Sequence, residues 1–372
     1  MVMGIEPADY DIATNAHPEQ IMKIFPRTES IGAQFGVVLV IYQGHGFEVA
    51  TFRSDEAYID GRRPTGVVFT DAKQDVLRRD FTINGLLFDP LSDSVIDYVN
   101  GRADIDAKLV RAIGEPRARF EEDKLRILRA VRFGARLGYT IEPSTWEAVC
   151  AMAPKIHQVS SERIREELSR ILTEGQAARG AGMLEKSGLR AEILPELELT
   201  QHVERCLQML RSGIQADFAM AVLLHEIPIA SVNEILKRLK FSRAEMHYVV
   251  ALVENLPTFY KVRQMSLGSL KRFFRLARFE DHLELMRIHS TASGDDLQDY
   301  SYASDRHREW NEADIAPRPL ITGEDLIALG FMPGPRFKEI LTSVEDEQLE
   351  GRLMGHAEAI DFVKRHYGEA RS

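Results

Sequence analysis

The 372-residue sequence contains only two cysteines and two tryptophans, and it has no long run of apolar residues. Cys150 and Cys206 are far apart and have apolar neighbours, which favours inert, reduced thiols over a disulfide framework or a zinc site. No apolar stretch reaches the roughly 18 residues that a membrane-spanning helix needs. The segment from Met1 to Tyr10 lacks the basic and apolar regions of a secretory signal. We therefore expect a cytoplasmic protein without a membrane segment.

The chain also lacks an overall excess of positive charge. Its formal net charge is -10, so we do not expect it to coat nucleic acid indiscriminately, because non-specific binding depends on the neutralisation of phosphates. The segment from Arg102 to Arg136 differs, since it has ten basic residues against six acidic ones. Any contact with nucleic acid is therefore predicted to be local.

Strand patterns are concentrated in the N-terminal part of the chain. Val37 to Tyr42 and Phe47 to Phe52 are rich in β-branched and aromatic residues, and Gln43 to Gly46 separates them as a turn would. This pattern predicts a β-hairpin. A helix followed by a strand is predicted between Asp71 and Phe88, which completes a small α+β unit.

From Arg119 onward the apolar residues recur at helical spacing, and strand patterns become rare. Ser160 is a candidate N-cap for a helix that includes Ile164 to Leu172. The two prolines between Ala316 and Pro319 predict a linker, which is followed by a last helical piece from Ile321 to Tyr367. The predicted helices are separated by breaks at Pro154, Gly188, Pro195, Pro228 and Pro257. The predicted fold class is α+β, with a mixed sheet and helices followed by an all-α remainder.

Two aspartates near the N-terminus, Asp9 and Asp11, have the spacing that points both carboxylates to one face of an extended strand. Such a pair suits Mg²⁺, which binds hard oxygen ligands and can clamp a nucleoside triphosphate during an in-line displacement. Glu48, in a predicted strand, is a candidate third carboxylate. By itself so short a pattern is also typical of solvated surface acids.

The run from Arg78 to Gly85 combines two guanidinium groups, a carboxylate, a hydroxyl and an amide in a short span. Guanidinium groups such as that of Arg79 suit phosphate oxygens, and the amide of Asn84 can donate to and accept from a ribose hydroxyl. The alternative interpretation is a capped strand with surface ion pairs. The density of polar groups favours a phosphate-binding segment.

Asp123 and Arg126 are three residues apart in a predicted helix, so an acceptor and a donor would lie side by side. Together they could imitate a base-pairing edge and select C or A. An ordinary intrahelical salt bridge is the alternative. Arg129, Arg132 and Arg136 are expected to share roughly one face with Arg126, where they could contact an RNA backbone.

These segments occur in a distinctive order. They are Asp9-Tyr10-Asp11-Ile12-Ala13-Thr14, Thr51-Phe52-Arg53, Asp60-Gly61-Arg62-Arg63-Pro64, Arg78-Arg79-Asp80-Phe81-Thr82-Ile83-Asn84-Gly85, Glu122-Asp123-Lys124-Leu125-Arg126 with Arg129-Ala130-Val131-Arg132-Phe133, and Glu162-Arg163-Ile164-Arg165-Glu166-Glu167-Leu168. The series resembles the successive motifs of the bacterial-type (class II) tRNA nucleotidyltransferases and their poly(A) polymerase relatives. The similarity extends from about Asp9 to Leu172 and is vague beyond it.

The resemblance implies a head with the nucleotidyltransferase fold of DNA polymerase beta, followed by a helical neck, body and tail that grip tRNA. The expected domains are 1–112 for the head, 113–175 for the neck, 176–316 for the body and 317–372 for the tail. The implied catalytic acids are Asp9 and Asp11, which bind Mg²⁺, with Glu48 as the candidate third acid. The implied nucleotide-binding residues are Arg53, Arg79, Asp80, Asn84, Asp123, Arg126, Arg129 and Arg132.

The implied reaction is attack of the tRNA 3′-hydroxyl on the α-phosphate of CTP or ATP, with release of pyrophosphate. Asp60 to Pro64 would lie in the loop associated with switching from C to A, which favours full CCA addition. Members of the family normally have a strand and a helix with a Gly-Gly-x-x-Arg-Asp element before the paired aspartates. Here only Met1 to Glu6 precede Pro7. We therefore expect a chain that lacks this first strand and helix and has low activity.

Other functions stay open at this stage. Poly(A) polymerases and the CC-adding or A-adding enzymes share the same motifs, and a non-catalytic RNA-binding remnant would also fit the absent front element. The segment from Leu223 to Glu226, preceded by His202, resembles the ligand region of a His-Asp metal-dependent hydrolase. Glu226 replaces the aspartate of that family, so a helical body with hydrogen-bonded histidines is the simpler interpretation. The sequence leads to no prediction of oligomeric state.

Overall fold

The computed structural model describes residues 9–32, 36–55 and 67–368, together with Val2, Gly4 and Pro7. The chain forms two compact units, Met1–His247 and Tyr248–Ser372. The segment from Asp60 to Pro64, which was predicted to switch nucleotide choice, lies outside the described residues.

A four-stranded mixed sheet forms the first part of the described chain. Its strands are β1 (Ile12–Thr14), β2 (Thr28–Gly32), β3 (Val37–Tyr42) and β4 (His45–Thr51), in the order β1-β4-β3-β2. β1 runs parallel to β4, whereas β3 is antiparallel to both β2 and β4. Helix α1 (Pro18–Ile24) buries Ile21 with Val38, Val40 and Val49, which closes one face of the sheet.

The predicted hairpin is confirmed, with a turn of two residues. Gln43 and Gly44 join β3 to β4, and both have a positive φ, at 49° and 84°. A turn with positive φ at both positions matches the twist of the two strands. Because side chains alternate along a strand, Glu48 points away from the face that buries Val49, and it is exposed.

The remaining short elements connect this sheet to the helices. They are β5 (Arg53–Asp55), β6 (Val67–Phe69), α2 (Ala72–Leu77), a 3₁₀ turn (Thr82–Asn84), β7 (Leu86–Asp89), β8 (Ser94–Asp97), α3 (Gly101–Asp106) and β9 (Leu109–Val110). β5 pairs with β6 and β7 with β8, both antiparallel. The predicted helix and strand between Asp71 and Phe88 therefore correspond to α2 and β7.

Helices dominate the rest of the first unit. They are α4 (Pro116–Glu122), α5 (Leu125–Leu137), α6 (Pro143–Met152), α7 (Ser161–Thr173), α8 (Ala177–Lys186), α9 (Leu189–Ile193), α10 (Gln201–Gln208), α11 (Ala216–Leu224) and α12 (Ile229–Arg238), with α13 (Arg243–Asn255) crossing into the second unit. The short strand β10 (Thr140–Ile141) pairs with β9.

Helices α5 and α7 pack together, and both contain buried apolar side chains, among them Ile127, Leu128 and Leu168. α5 ends where Gly138 takes the left-handed conformation at φ 68°, which glycine adopts without steric cost. Ser160 occupies the predicted N-cap position of α7, but its side chain makes no capping hydrogen bond.

The second unit is helical throughout its described part. After a 3₁₀ segment (Leu256–Gln264) come α14 (Leu267–Phe273), α15 (Phe279–Ser293), α16 (Gln298–Glu309), α17 (Glu312–Ile315), α18 (Gly323–Ala328), α19 (Pro335–Leu349) and α20 (His356–Tyr367). Thr322 and Asp325 form a capping box at the start of α18. The predicted α+β class, a sheet-containing head followed by helices, is confirmed. Of the described helices, none is long and apolar enough to cross a membrane.

Candidate active site

The three predicted catalytic acids are exposed, but only Glu48 lies on a strand. Asp9 and Asp11 precede β1, and Glu48 lies in β4. Ile12 is opposite Val49, so the same register continued by one residue would pair Asp11 with Glu48. The three carboxylates are not gathered at one point, since they are not among the described His, Cys, Asp and Glu groups whose ligand atoms lie within 4.8 Å of one another.

The predicted phosphate-binding run is anchored by a buried carboxylate that was not predicted. Asp75, in α2, accepts hydrogen bonds from Nη2 of Arg78 at 2.8 Å and Nη2 of Arg79 at 3.0 Å. It also accepts from the backbone N–H of Arg53 at 3.2 Å. Burial raises the pKa of this carboxyl, but Arg78 and the other donors outweigh it and hold the pKa below its ordinary value. The guanidinium groups of Arg78 and Arg79 and the backbone N–H of Arg53 therefore converge on one negative charge.

Asp80 is the centre of an adjoining cluster and is 7% exposed. Its Oδ1 accepts from Nδ2 of Asn84 at 3.0 Å, and its Oδ2 accepts from Nε of Arg129 at 2.6 Å. The guanidinium of Arg79 donates to the backbone oxygen of Asn84 at 3.0 Å. Burial lowers the pKa of Arg129, but the charge and hydrogen bond of Asp80, together with the charges of Glu167 and Asp123, outweigh burial, so the pKa is raised. Residues from two separate predicted segments thus meet in one cluster.

Asp123 and Arg126 do not share a helix, so that part of the prediction is wrong. Asp123 ends α4 with extended backbone, at φ -145° and ψ 107°, and Arg126 lies in the first turn of α5. Asp123 accepts from Nη2 of Arg163 at 2.7 Å instead of from Arg126. Arg126 donates to Glu122 at 2.5 Å and to the backbone oxygen of Arg78 at 3.0 Å. The two residues are each held in place by other partners, and their part in base selection stays a prediction.

The expected exposed face of arginines along α5 is also not found. The guanidinium of Arg132 is 4% exposed, with Nε 2.7 Å from Oε2 of Glu167 and Nη1 3.3 Å from Oε2 of Glu174. Arg136, one turn later, is 51% exposed. Because Arg132 faces α7, contact with a nucleotide would require it to leave two carboxylates. Its nucleotide-binding role stays a prediction.

Arg119 makes a further contact that was not predicted. Its Nη2 donates to the backbone oxygen of Leu77 at 2.8 Å, and its Nε donates to that of Ile113 at 3.1 Å. Cations are favourable at a helix C-terminus, where backbone carbonyls lack helical partners. Arg119 and Arg126 together satisfy the carbonyls at the end of α2. They thereby fix the segment from Arg78 to Asn84 against the following helices.

A second cluster lies in α10 and directly after α11, and it shows that the expectation of apolar surroundings for Cys206 was wrong. Its Sγ is 3.6 Å from Nε2 of His202 and 4.0 Å from Nε2 of His225, so its surroundings are not simply apolar. Glu226 is not part of this group. Its carboxylate accepts from the hydroxyl of Thr200 at 2.8 Å. Within the described part of the chain, the cluster therefore includes no acidic ligand of the kind that a His-Asp hydrolase needs.

Three family models match successive parts of the chain. The "Poly A polymerase head domain" matches residues 1–111, the "Probable RNA and SrmB-binding site of polymerase A" matches residues 138–201, and tRNA nucleotidyltransferase domain 2 matches residues 210–363.

Curated relatives match over nearly the whole chain. It is 32% identical over 366 residues to the CCA-adding enzyme of Levilactobacillus brevis, covering 96% of this chain and 89% of that protein. It is 32% identical over 363 residues to the CCA-adding enzyme of Streptococcus pneumoniae, covering 96% and 88%. The crystal structure of the Bacillus stearothermophilus CCA-adding enzyme in complex with CTP matches with a TM-score of 0.83 and 27% identity, covering 98% of this chain and 91% of that one. The chain therefore belongs to the family of CCA-adding enzymes, which are tRNA nucleotidyltransferases.

Proposed function

We propose that this chain adds C and A to the 3′ end of tRNA, with CTP and ATP as substrates and pyrophosphate as the second product. The observation that carries the proposal is the full-length similarity to CCA-adding enzymes, at 32% identity over 96% of the chain. The poly(A) polymerase family models match residues 1–111 and 138–201, whereas residues 210–363 match a tRNA nucleotidyltransferase family. This division favours tRNA as the acceptor. Since tRNA, CTP and ATP are cytoplasmic molecules, we propose the same compartment for the protein.

Mg²⁺ would be held by Asp9 and Asp11, with Glu48 as a third acid. Enzymes of this family are generally metal-dependent, and the donor set fits a hard cation, because all three side chains offer carboxylate oxygens. The three residues are exposed, with Glu48 in β4 and the two aspartates just before the neighbouring β1, which leaves room for a triphosphate to complete the coordination. The bound metal would neutralise charge on the phosphates and stabilise the departing pyrophosphate.

Arg53, Arg79 and Asn84 would bind the triphosphate and the ribose. The side chain of Arg79 is 29% exposed, and its bonds to Asp75 and to the backbone of Asn84 orient its fork while leaving part of it open to solvent. The side-chain oxygen of Asn84 can accept from a ribose hydroxyl while its nitrogen donates to Asp80. Asp80 is buried, and we assign it the role of positioning Asn84 and Arg129.

Asp123 and Arg126 would select the base. C and A both carry an exocyclic amine that donates, at the position where U and G carry an oxygen that accepts. A carboxylate acceptor therefore favours C and A over U and G. Asp123 has 16% of its side chain exposed and is fixed by Arg163, so it can present an oxygen to the base without a costly rearrangement.

Nucleotide incorporation into a tRNA that lacks its terminal CCA tests the function. With CTP, ATP and Mg²⁺ we expect the product to grow by C, C and A and to stop there. Asp11→Asn removes a proposed metal ligand and should lower the rate at least about 100-fold, comparable to the loss of one transition-state contact. Asp93→Asn, at an exposed turn, is the matched control and should keep the rate.

Two outcomes would contradict the proposal. Long A tails, made equally on tRNA and on an unstructured RNA, would identify a poly(A) polymerase. Binding of tRNA without any release of pyrophosphate, in the wild type as in Asp11→Asn, would identify a non-catalytic RNA-binding protein.

Base selection is tested separately by Asp123→Asn. The amide keeps the size of the side chain but adds a donor, so discrimination against UTP should fall by about 10- to 100-fold, which corresponds to about 1–3 kcal/mol for a base contact. Asp106→Asn, at an exposed helix end, is the control. Unchanged discrimination with a lower rate for CTP, ATP and UTP alike would show that Asp123 acts on folding or positioning and not on the base.

A further inference from the structure

Helices α10 and α11 bring three side chains with nitrogen and sulfur donors to one place. His202 and Cys206 are one helical turn apart in α10, so they lie on the same face, and His225 directly follows α11. Cys206 is 1% exposed and His225 is 8% exposed, while His202 is half-buried. The cluster is thus closed on most sides and open beside His202.

The separations of the donor atoms suit a tetrahedral cation. In zinc sites the Zn–S bond is about 2.3 Å and the Zn–N bond about 2.0–2.1 Å, so tetrahedral angles put sulfur and nitrogen about 3.6 Å apart. Here Sγ of Cys206 is 3.6 Å from Nε2 of His202 and 4.0 Å from Nε2 of His225. Only small side-chain rotations are needed to bring all three atoms onto one ion.

The ring of His225 is already oriented as a ligand. Its Nδ1 is 2.7 Å from the backbone oxygen of Val222, so Nδ1 carries the proton and donates it to that carbonyl. Nε2, which faces Cys206, then keeps its lone pair. A bond of this kind from the distal nitrogen is nearly universal among histidines that bind metals, because it fixes both the tautomer and the ring.

A hydrogen-bonded thiol explains only part of this arrangement. A thiol has one hydrogen, so Cys206 can donate to one imidazole nitrogen at a time. Here the Nε2 atoms of two histidines lie close to its sulfur. Burial, with a contribution from the charge of Glu226, raises the pKa of the thiol to about 12. A divalent cation would displace this proton and then be shared by all three donors.

We propose that His202, Cys206 and His225 bind a Zn²⁺ ion that ties α10 to α11. Sulfur and imidazole donors in tetrahedral geometry select Zn²⁺ over Mg²⁺, which prefers oxygen. The fourth position is left to a water molecule on the side of His202. This site is independent of the proposed nucleotidyl transfer and uses none of the carboxylates assigned to Mg²⁺.

Co²⁺ is the probe, because it replaces Zn²⁺ in tetrahedral sites and absorbs light. The full chain, stripped with a chelator under reducing conditions, is titrated with Co²⁺ and then with Zn²⁺. We expect a thiolate-to-Co²⁺ charge-transfer band and the visible bands of a tetrahedral ion, both lost on addition of Zn²⁺. Co²⁺ bound only by carboxylates, at Asp9 and Asp11, would give no thiolate band.

Variants assign the ligands. Cys206→Ser and His202→Gln should abolish the charge-transfer band and weaken Zn²⁺ binding at least about 100-fold, beyond what the loss of a supporting contact costs. Cys150→Ser removes the other cysteine and is the matched control, which should keep the band at full intensity. Circular dichroism checks the fold, and since His202 is half-buried, His202→Gln decides the question if Cys206→Ser unfolds. The absence of a band in the wild type, its persistence in folded His202→Gln, or its loss in Cys150→Ser would overturn the proposal.

Discussion

Arg132 and Glu167 form a buried ion pair between α5 and α7, with side-chain exposures of 4% and 6% and an Nε–Oε2 distance of 2.7 Å. Arg132→Met leaves the carboxylate of Glu167 buried, and its remaining ion pair among the described residues is with Nη1 of Arg129, at 3.9 Å. Removing one partner of a buried pair costs about 3–5 kcal/mol, because the other charge stays without its counter-charge. We therefore expect the first unit to lose about that much free energy of unfolding.

The double variant Arg132→Met/Glu167→Leu distinguishes two contributions to the free energy of unfolding: the cost of leaving one charge buried without its partner, and the net stabilisation by the ion pair itself. Replacing both partners by apolar groups is often neutral or stabilising, so most of the loss should be recovered. Glu174, the second partner of Arg132, is 25% exposed and can be solvated. Arg136→Met is the matched control on the same helix, and because its side chain is 51% exposed it should cost less than about 1 kcal/mol.

Urea unfolding in a Trp310→Phe background measures these values, because Trp146 then reports on the first unit alone. A cost below about 1 kcal/mol for Arg132→Met would refute the buried-pair argument, since that is the range of exposed pairs. A double variant that loses as much free energy of unfolding as Arg132→Met and Glu167→Leu lose together would also refute it. If Arg132→Met stays fully folded but loses affinity for tRNA or CTP, and Arg136→Met does not, then Arg132 contacts the nucleotide as the sequence predicted.

Further predictions concern pH and glycine positions. Burial lowers the pKa of His282 to about 4, so below pH 6.5 the unfolded chain takes up a proton that the folded chain excludes. Between pH 6.5 and pH 5 the second unit should therefore lose about 1.6 kcal/mol, somewhat less than the full slope of roughly 1.4 kcal/mol per pH unit, because the unfolded histidine is only half-protonated at pH 6.5. Unfolding of His282→Gln should lack this slope, whereas the exposed control His366→Gln should keep it; an equal slope in both would disprove the assignment. A Cβ on Gly101 would lie 2.2 Å from the backbone oxygen of Thr82, so Gly101→Ala should destabilise by at least about 1–3 kcal/mol. Gly182, in α8, has nothing within 4 Å of an added Cβ, so urea unfolding of Gly182→Ala should show a gain of about 0.5–1 kcal/mol, and a loss as large as that of Gly101→Ala would contradict the steric argument.

Most of the fold elements that could be predicted were indicated by short sequence patterns. The hairpin of β3 and β4 was predicted from two runs rich in β-branched and aromatic residues, separated by Gln43 to Gly46, and both signals lie within a short window. The helix that starts after Thr322 follows from its capping box. Ser160 occupies the predicted N-cap position but makes no capping hydrogen bond with its side chain. A serine in the sequence can indicate a helix start, but it does not fix the rotamer of its hydroxyl.

The candidate site was less predictable because its contacts join distant parts of the chain. Arg129 and Asp80 are 49 residues apart, and Arg132 and Glu167 are 35 apart. No periodic pattern indicates such pairs. Asp75 could have been found, since it lies three and four residues before Arg78 and Arg79, a spacing that makes helical neighbours. Cys206 lies in α10 and His225 directly follows α11, so their approach depends on how α10 packs on α11.

Asp123 shows why tertiary position matters for the proposed base selection. A carboxylate and a guanidinium paired on one exposed helix would satisfy each other, and a base would have to compete with that bond. Instead Asp123 is held by Arg163, and Arg126 is held by Glu122 and a backbone oxygen of the head. Because Asp123 makes no bond to Arg126, its carboxylate can accept from a base without first breaking such a bond, whereas Arg126 is 8% exposed and would act mainly by fixing this region. Such preorganisation reduces the free energy of rearrangement on binding, so in the proposed role a single acceptor would discriminate between an amine and an oxygen on the incoming base.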